Sequence, residues 1–394
     1  MTIGNLLKGV KIIENANVIT GPFAGGLLAH LGADVIKVEP PGGGDQYREW
    51  GTETRGTVRA SFGAYNRGKR SIVLDLKQLE GRDMFRRLCA SADVVIENSR
   101  PGVMDTLGVG WEVLRHDNPA LVYCFITGLG SWGPESQRPT YDGIAQALSG
   151  LWSQFIDLAA PEPLGPHLAD QATGLYAAFA ILAGLEHSRR TGEGTKLEVS
   201  MLASCIAFLG SNLALFLSDG EVPTKNWRAR RSQVYSFVAS DGHPLTVQIS
   251  GLQKFWEALC RAIESPELVN DPRFSTNMSR IANYEELRKI LAARFSCHPR
   301  VWWERRLREY DVPAAPILSL DEVVAHPQVK ALGIIEPADG DSGSWARAPI
   351  AIEGHYLGAE TCPPLLSEDA DLILSEIGIS LEEIAQLRKK SVIL

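Results

Sequence analysis

The sequence predicts an α/β protein built on a parallel sheet, with a smaller second domain. Three observations predict this. Short β-branched runs alternate with helical patterns through the first half of the chain. Those runs are apolar throughout, as strands covered on both faces are. Around "EVPTKNWRARRSQ" the composition turns polar and basic, and a hairpin pattern follows.

The elements follow in order. "VKIIEN" is a strand that ends at the turn "TGP". "FAGGLLAHLG" is a helix, and "ADVIKVE" is a buried strand. "RSIVLDLK", "ADVVIEN" and "ALVYCFITG" are further strands, with helical patterns such as Gly81–Ala90 between them. Ligands in such sheets sit at the carboxyl ends of the strands. Those ends fall near Asn15–Thr20, Glu39, Leu74–Lys77, Asn98–Arg100 and Thr127–Gly130. A helix then opens at Asp170, with Ala172, Leu175, Tyr176, Phe179, Leu182 and Ala183 at helical spacing on one apolar face. Its many Ala and Gly residues permit close packing and predict a central helix. "TKLEVSM" is the next strand, and an apolar helical pattern runs on through Leu217. Past the linker, "YSFVAS-DG-HPLTVQIS" is a hairpin turning at Asp241-Gly242. Helices follow at Leu252–Ile263, Glu285–Phe295 and Val301–Tyr310, and the tail carries "EDADLILSEIG" and "LEEIAQLRKK". The division is therefore residues 1–220 (large domain), 221–234 (linker), 235–325 (small α+β domain) and 326–394 (C-terminal segment).

Composition narrows the function. A length of 394 residues implies two or three domains. The formal charge of −8 argues against bulk binding to nucleic acid or an anionic membrane. The six cysteines are scattered with no C-x-x-C pair, which suits free thiols in a reducing cytosol. The eight histidines show no metal spacing, so no metal is expected. "MTIGNLLKGVKIIEN" lacks the layout of a signal peptide, and the apolar run Leu175–Leu185 falls short of the ~20 residues a membrane span needs. The expected location is the cytoplasm. The first turn, Gly21-Pro22-Phe23-Ala24-Gly25-Gly26, is not G-x-G-x-x-G, because Phe23 stands where the second glycine admits the pyrophosphate. That argues against a dehydrogenase.

Several stretches together resemble the class III CoA-transferases, the CaiB/BaiF family. They are "GPFAGGLLAHLGADVIKVEPPGGGD", "NRGKRSIVLDLK", "ADVVIENSRPGVMDTLG", "YDGIAQALSG", "TGEGTKLEVSM", "DPRFSTNMSRIANYEEL" and "VPAAPILSLDEVVAHPQV", in family order, from about Leu7 to Leu387. The resemblance implies a large doubly wound, Rossmann-like domain that binds CoA, a smaller domain, and a C-terminal segment returning to the large domain. It implies a homodimer of ring-like subunits interlocked as links in a chain. No cofactor would be permanently bound; acyl-CoA and a small carboxylic acid are the substrates.

By position alone Asp170 reads as an N-cap, without a capping box because residue 173 is Thr. The resemblance implies instead that Asp170 is the catalytic nucleophile, and a helix N-terminus favours its ionised form. By the same resemblance, CoA contacts fall on Val18, Ile19, Thr20, Leu74, Lys77, Asn98, Ser99, Arg100, Arg138 and Tyr141. Lys77 and Arg138 are candidate phosphate partners. The loop "ISGLQ", with Ser250 and Gly251, would cover the aspartate. Some relatives carry glutamine where this chain has Ile19, and many carry arginine where it has Thr106. The alternative inside the family is an α-methylacyl-CoA racemase, whose histidine precedes an aspartate. Tyr141 stands in that place, and a tyrosine near pKa ~10 is a poor proton shuttle. A CoA-binding protein without activity is disfavoured by Asp170 itself. His167 reads as a loop histidine. Arg228, Arg230 and Arg231 read as a solvated basic linker, or as a grip for a second carboxylate of the substrate.

Overall fold

The structure, a computed structural model, describes residues 5–51, 54–55, 58–336, 344–359 and 361–394. Two compact units are present. One comprises the chain up to Trp152 with Pro163–Gly210 and Gln328–Leu394; the other comprises Ser153–Glu162 and Ser211–Pro327.

The first unit contains β1 (Lys11–Asn15), α1 (Thr20–His30), β2 (Asp34–Glu39), β3 (Lys69–Val73), α2 (Leu79–Ala90), β4 (Val94–Glu97) and β5 (Val122–Thr127). It continues with α3 (Asp142–Leu148), α4 (Leu168–Thr191), β6 (Thr195–Ser200) and α5 (Met201–Leu209). The six strands form one parallel sheet in the order β3-β2-β1-β4-β5-β6. This is the doubly wound arrangement in which the strand order reverses at β1/β4.

Successive side chains of a strand point to opposite faces. Ile13, Ile36, Ile72, Val95 and Tyr123 pack in one layer with Met84, Phe85 and Leu88 of α2. Ile12, Val35, Val94, Val122 and Cys124 pack in the other, with Leu28 of α1 and Ala177, Ala178, Ile181 and Leu185 of α4. Both faces are covered, and that is why the strands read as unbroken apolar runs.

Helix α4 lies centrally, but not by the face its large side chains suggest. Leu175, Tyr176, Phe179 and Leu182 are 50%, 40%, 71% and 37% exposed, while Ala177, Ala178, Ile181, Gly184 and Leu185 are buried. The small residues win because they let the helix backbone reach the sheet. A Cβ on Gly184 would lie 2.7 Å from Val122 Cγ1. The helix has 24 residues and is long and apolar enough to cross a membrane by length and composition, yet 56% of its apolar window is buried inside the protein. The apolar pattern expected to run through Leu217 breaks at Gly210, with α5 ending at Leu209 and another helix starting at Ser211.

The second unit holds β7 (Val234–Val238), β8 (Pro244–Gln248), α6 (Gln253–Ala262), α7 (Tyr284–Phe295), α8 (Arg300–Glu309) and β9 (Ala314–Pro316). Its strands pair antiparallel in the order β9-β8-β7, and Gly242 turns the hairpin at φ +81°. Tyr235, Phe237, Leu245 and Val247 pack there against Trp256, Leu259, Leu287, Phe295 and Trp303. The expected linker contains a short helix, Trp227–Arg231. Beyond the second unit, α9 (Ala370–Glu376) and α10 (Leu381–Lys389) supply Ile373, Leu374, Ile384 and Leu387 to the α2 layer of the large sheet.

Candidate active site

A polar cavity of about 310 Å³ opens at the carboxyl ends of β1, β4 and β5. The turn between β1 and α1 lends Asn17, Val18 and Thr20. The turn after β4 lends Asn98, Ser99 and Arg100. The segment after β5 lends Thr127, Arg138, Thr140 and Tyr141. Gln46, Met201 and Asp170 also lie in the wall.

Of the expected site residues, Val18, Thr20, Asn98, Ser99, Arg100, Arg138, Tyr141 and Asp170 line this one cavity. Three do not. Ile19 is 1% exposed and packs with Tyr47 and Phe62. Leu74 is 1% exposed within the α2 layer, and Lys77 is exposed to solvent. Arg100 is exposed and makes no ion pair among the described residues, whereas Arg138 is paired with Glu135 at 2.9 Å. Thr106 lies in a short helix and donates its hydroxyl to the Gly102 carbonyl. Ser250 and Gly251 belong to the second unit, at φ +47° and +73° just past β8. The positive φ of Gly251 favours glycine there, and a Cβ would come within 2.8 Å of the Asn277 carboxamide.

Asp170 is in the first turn of α4 and does not cap it. The N-cap is His167, whose side chain makes no capping bond. The carboxylate of Asp142, the first residue of α3, accepts the N–H groups of Ala169 and Asp170 at 2.9 and 3.1 Å. Asp142 is therefore the group that satisfies the helix N-terminus, and it leaves the Asp170 carboxylate free for other contacts. Thr20 Oγ1 donates to Asp170 Oδ1 at 2.7 Å. Gly174 permits this closeness of α1 and α4, since a Cβ there would lie 2.8 Å from the Thr20 carbonyl oxygen.

Asp170 is only 8% exposed. Burial pushes its carboxyl up from 3.8 to about 6; the Thr20 hydrogen bond opposes this, the Asp142 charge adds to it, and His167 opposes it. Desolvation thus outweighs the helix N-terminus, whose N–H groups are already taken by Asp142. The expectation of a carboxyl kept readily ionised is corrected accordingly. It remains mostly ionised at pH 7 and above, as a poorly solvated carboxylate. Nearby, burial raises the Glu97 carboxyl, which receives the Ser99 N–H, to about 7.

Asp142, His167 and Asp170 each offer a ligand atom within 4.8 Å of the others. The oxygens of Asp142 are engaged by the α4 N–H groups and by Gln146, and Asp170 is engaged by Thr20. Asn17, Gln46, Thr127 and Asp142 are not among the individually expected site residues. Asn17 and Thr127 fall within the strand ends read from the sequence, and Asp142 follows Tyr141 in "TYDGIAQ"; Gln46 had no such signal. In the basic linker, Arg230 pairs with Glu285 at 3.1 Å and Arg231 with Glu221 at 2.5 Å. Arg228 makes no ion pair among the described residues.

The chain is 35% identical over 382 residues to human succinyl-CoA:glutarate CoA-transferase, covering 94% of this chain and 86% of that protein. It is 37% identical over 386 residues to succinate–glutarate CoA-transferase of Agrobacterium fabrum, covering 94% and 95%. The crystal structure of a CaiB/BaiF family protein from Brucella suis superposes with a TM-score of 0.84 at 35% identity, over 95% of this chain and 100% of that one. The model of CoA-transferase family III matches residues 7–370. By its sequence, its fold and the polar cavity at its strand ends, this chain belongs to CoA-transferase family III.

Proposed function

We propose that the protein moves CoA from an acyl-CoA thioester to a carboxylic acid, with Asp170 as covalent nucleophile. The observation that carries this reading is the Asp170 carboxylate itself, buried in the wall of a polar cavity and oriented by Thr20. An Asp170 oxygen attacks the thioester carbonyl. The C–S bond breaks, leaving a mixed anhydride and CoA thiolate. The thiolate attacks the aspartyl carbonyl, releasing the donor acid as its carboxylate and forming a β-aspartyl-CoA thioester. The acceptor carboxylate attacks that thioester and expels the thiolate, which then takes the acceptor acyl group and frees Asp170. One hard exchange becomes a series of easier ones, with no change of oxidation state. Desolvation of Asp170 suits attack, because the carboxylate has little water to shed. Arg100 and Arg138 are the candidate phosphate partners, with Arg100 the more available. The CoA is a substrate, and no metal is assigned.

The relatives act, by name, on succinyl-CoA, succinate and glutarate. Dicarboxylates are therefore the first acids to test here, and Arg228 is the candidate grip for a second carboxylate. We read the enzyme as a cytoplasmic homodimer with interlocked subunits; the exposed apolar groove of Trp132, Tyr176, Phe179 and Ile206 supports association of the chain. The division into a large domain, linker, small domain and returning segment belongs to the same proposal, as does closure of the Ser250–Gly251 loop over Asp170.

Incubation with acyl-CoA followed by hydroxylamine tests the mechanism. A hydroxamate on the peptide holding Asp170 is expected, and an adduct elsewhere overturns the assignment. A racemase of this fold would give no adduct and would exchange the substrate α-proton with solvent deuterium.

A further inference from the structure

We infer that Asp45 is a positioning residue for this site: it holds Val18 in a strained backbone conformation, and the strained turn in turn sets Thr20 against Asp170. The inference rests on the reading of the cavity as the CoA-transfer site. Val18 lies at φ +69°. A β-branched residue in the left-handed region is a genuine outlier, and such strain persists only where the surroundings over-determine it.

Here they do. The Val18 N–H donates to both oxygens of Asp45, at 3.0 and 3.1 Å. On the N-terminal side, the Asn98 carboxamide accepts the Asn17 N–H at 3.0 Å and donates to the Asn17 carbonyl at 2.9 Å. One residue earlier, Lys37 Nζ donates to the Ala16 carbonyl at 2.7 Å. Asp45 is itself held from several sides. It is fully buried, ion-paired to the fully buried Lys37 at 2.9 Å, and accepts the Tyr47 N–H at 2.9 Å. Lys37 also meets Glu14 at 3.1 Å, so removing the Asp45 charge still leaves the lysine a partner.

The strained peptide has a visible use. Val18 forms part of the cavity wall, and two residues later Thr20 opens α1 with its hydroxyl 2.7 Å from Asp170. A Val18 relaxed to negative φ would redirect the chain between these two contacts. Asp45 touches neither the cavity nor Asp170 in this account; it acts through the Val18 main chain. The competing account is that Asp45 only neutralises Lys37.

A double-mutant cycle separates the two. Glycine takes positive φ without penalty, so Val18→Gly should make the turn independent of its clamp. The rate of Asp170 adduct formation from acyl-CoA is measured in the wild type, Asp45→Asn, Val18→Gly and the double variant. Asp45→Asn should lower the rate about 30-fold, the size of factor that backbone strain of this class represents. Val18→Gly sets its own reference rate, including whatever loss of the valine side chain from the cavity wall does; adding Asp45→Asn to it should lower that rate by no more than about 3-fold, against about 30-fold in the wild-type background. An Asp45→Asn effect as large in the Val18→Gly background as in the wild-type background overturns the inference in favour of simple charge neutralisation. So does an Asp45→Asn rate equal to wild type. If Asp45→Asn folds poorly, Val18→Pro replaces it: proline lacks the N–H and cannot take positive φ, and it leaves the Asp45–Lys37 pair intact. An unchanged rate in Val18→Pro overturns the inference equally. Should the wild type form no adduct at all, the CoA reading falls instead. The inference then stands only if Asp45→Asn speeds deuterium exchange across residues 16–20 about 10-fold, with the rest of β1 unchanged.

Discussion

Asp170→Asn separates a reactive carboxylate from a structural one, and the structure sets the size of the effect. The Asp170 carboxyl moves from 3.8 to about 6 on folding, chiefly by burial. The native state therefore holds this proton more tightly than the unfolded chain. The contribution of this group to stability is greatest below pH ~4, falls as pH rises toward ~6, and is flat above. At about 1.4 kcal/mol per pH unit, an ionised Asp170 destabilises the wild type by up to about 3 kcal/mol at pH 8. Asparagine carries no charge to bury, and its Oδ1 can still accept from Thr20. The stability advantage of the variant should thus grow by about 1.5 kcal/mol between pH 5 and pH 8. Urea unfolding at both pH values, at one protein concentration and with the m-value checked, measures it. CoA transfer should be lost at every pH. A variant advantage that does not change with pH would refute the burial argument. Transfer at the wild-type rate would refute the nucleophile.

Other outcomes follow from the same geometry. Thr20→Val removes the hydrogen bond that favours the charged form, so the acid limb of the transfer profile should move up by about one pH unit while the rate falls. Asp142→Ala removes a negative neighbour and should move that limb down. It should also leave two α4 N–H groups without an acceptor and lower stability by about 1 kcal/mol. Opposite shifts from two variants at one carboxylate are readable in a single pH–rate series, and shifts of the same sign contradict the assignment. Sedimentation should show a dimer with no stable monomer, and Phe179→Glu should weaken it; a concentration-independent monomer removes the dimer reading. Chelators should leave activity unchanged, and loss restored by added metal would contradict this.

The strands were legible because burial on both faces leaves a continuous apolar run, as at Val94–Glu97 and Val122–Thr127. The central place of α4 was legible from its small residues, but the face was not. Periodicity weighs side-chain size, whereas Ala177, Ala178 and Gly184 pack by their lack of it. Asp170 stood out as a carboxylate at the head of a long apolar stretch, with no other until Glu186. Its contacts with Thr20 and Asp142 were not legible, since Thr20 lies 150 residues away and Asp142 lies 28 away. A local capping rule examined only residue 173, so it assigned to Asp170 the cap that Asp142 supplies. The backbone strain at Val18 left no mark in composition or spacing, because a valine there looks like any strand-end residue.

The first turn suits this strand order to the proposed carboxylate chemistry. The dinucleotide fingerprint works by presenting free N–H groups at the start of the first helix to a pyrophosphate. Helix α1 instead begins Thr20-Gly21-Pro22. Pro22 has no N–H to offer, and the Phe23 N–H is taken by the Ile19 carbonyl at 2.6 Å. The donor that remains distinctive at this position is the Thr20 hydroxyl, and it points at Asp170 rather than at an open phosphate cradle. The carbonyl of Pro22 is held from below by Lys69 at 2.8 Å, within the same buried charge network that fixes Asp45. The turn that cradles phosphates in one use of the fold thus orients the proposed nucleophile in this one, with Phe23 in place of the fingerprint's second glycine and a buried charge network fixing the turn.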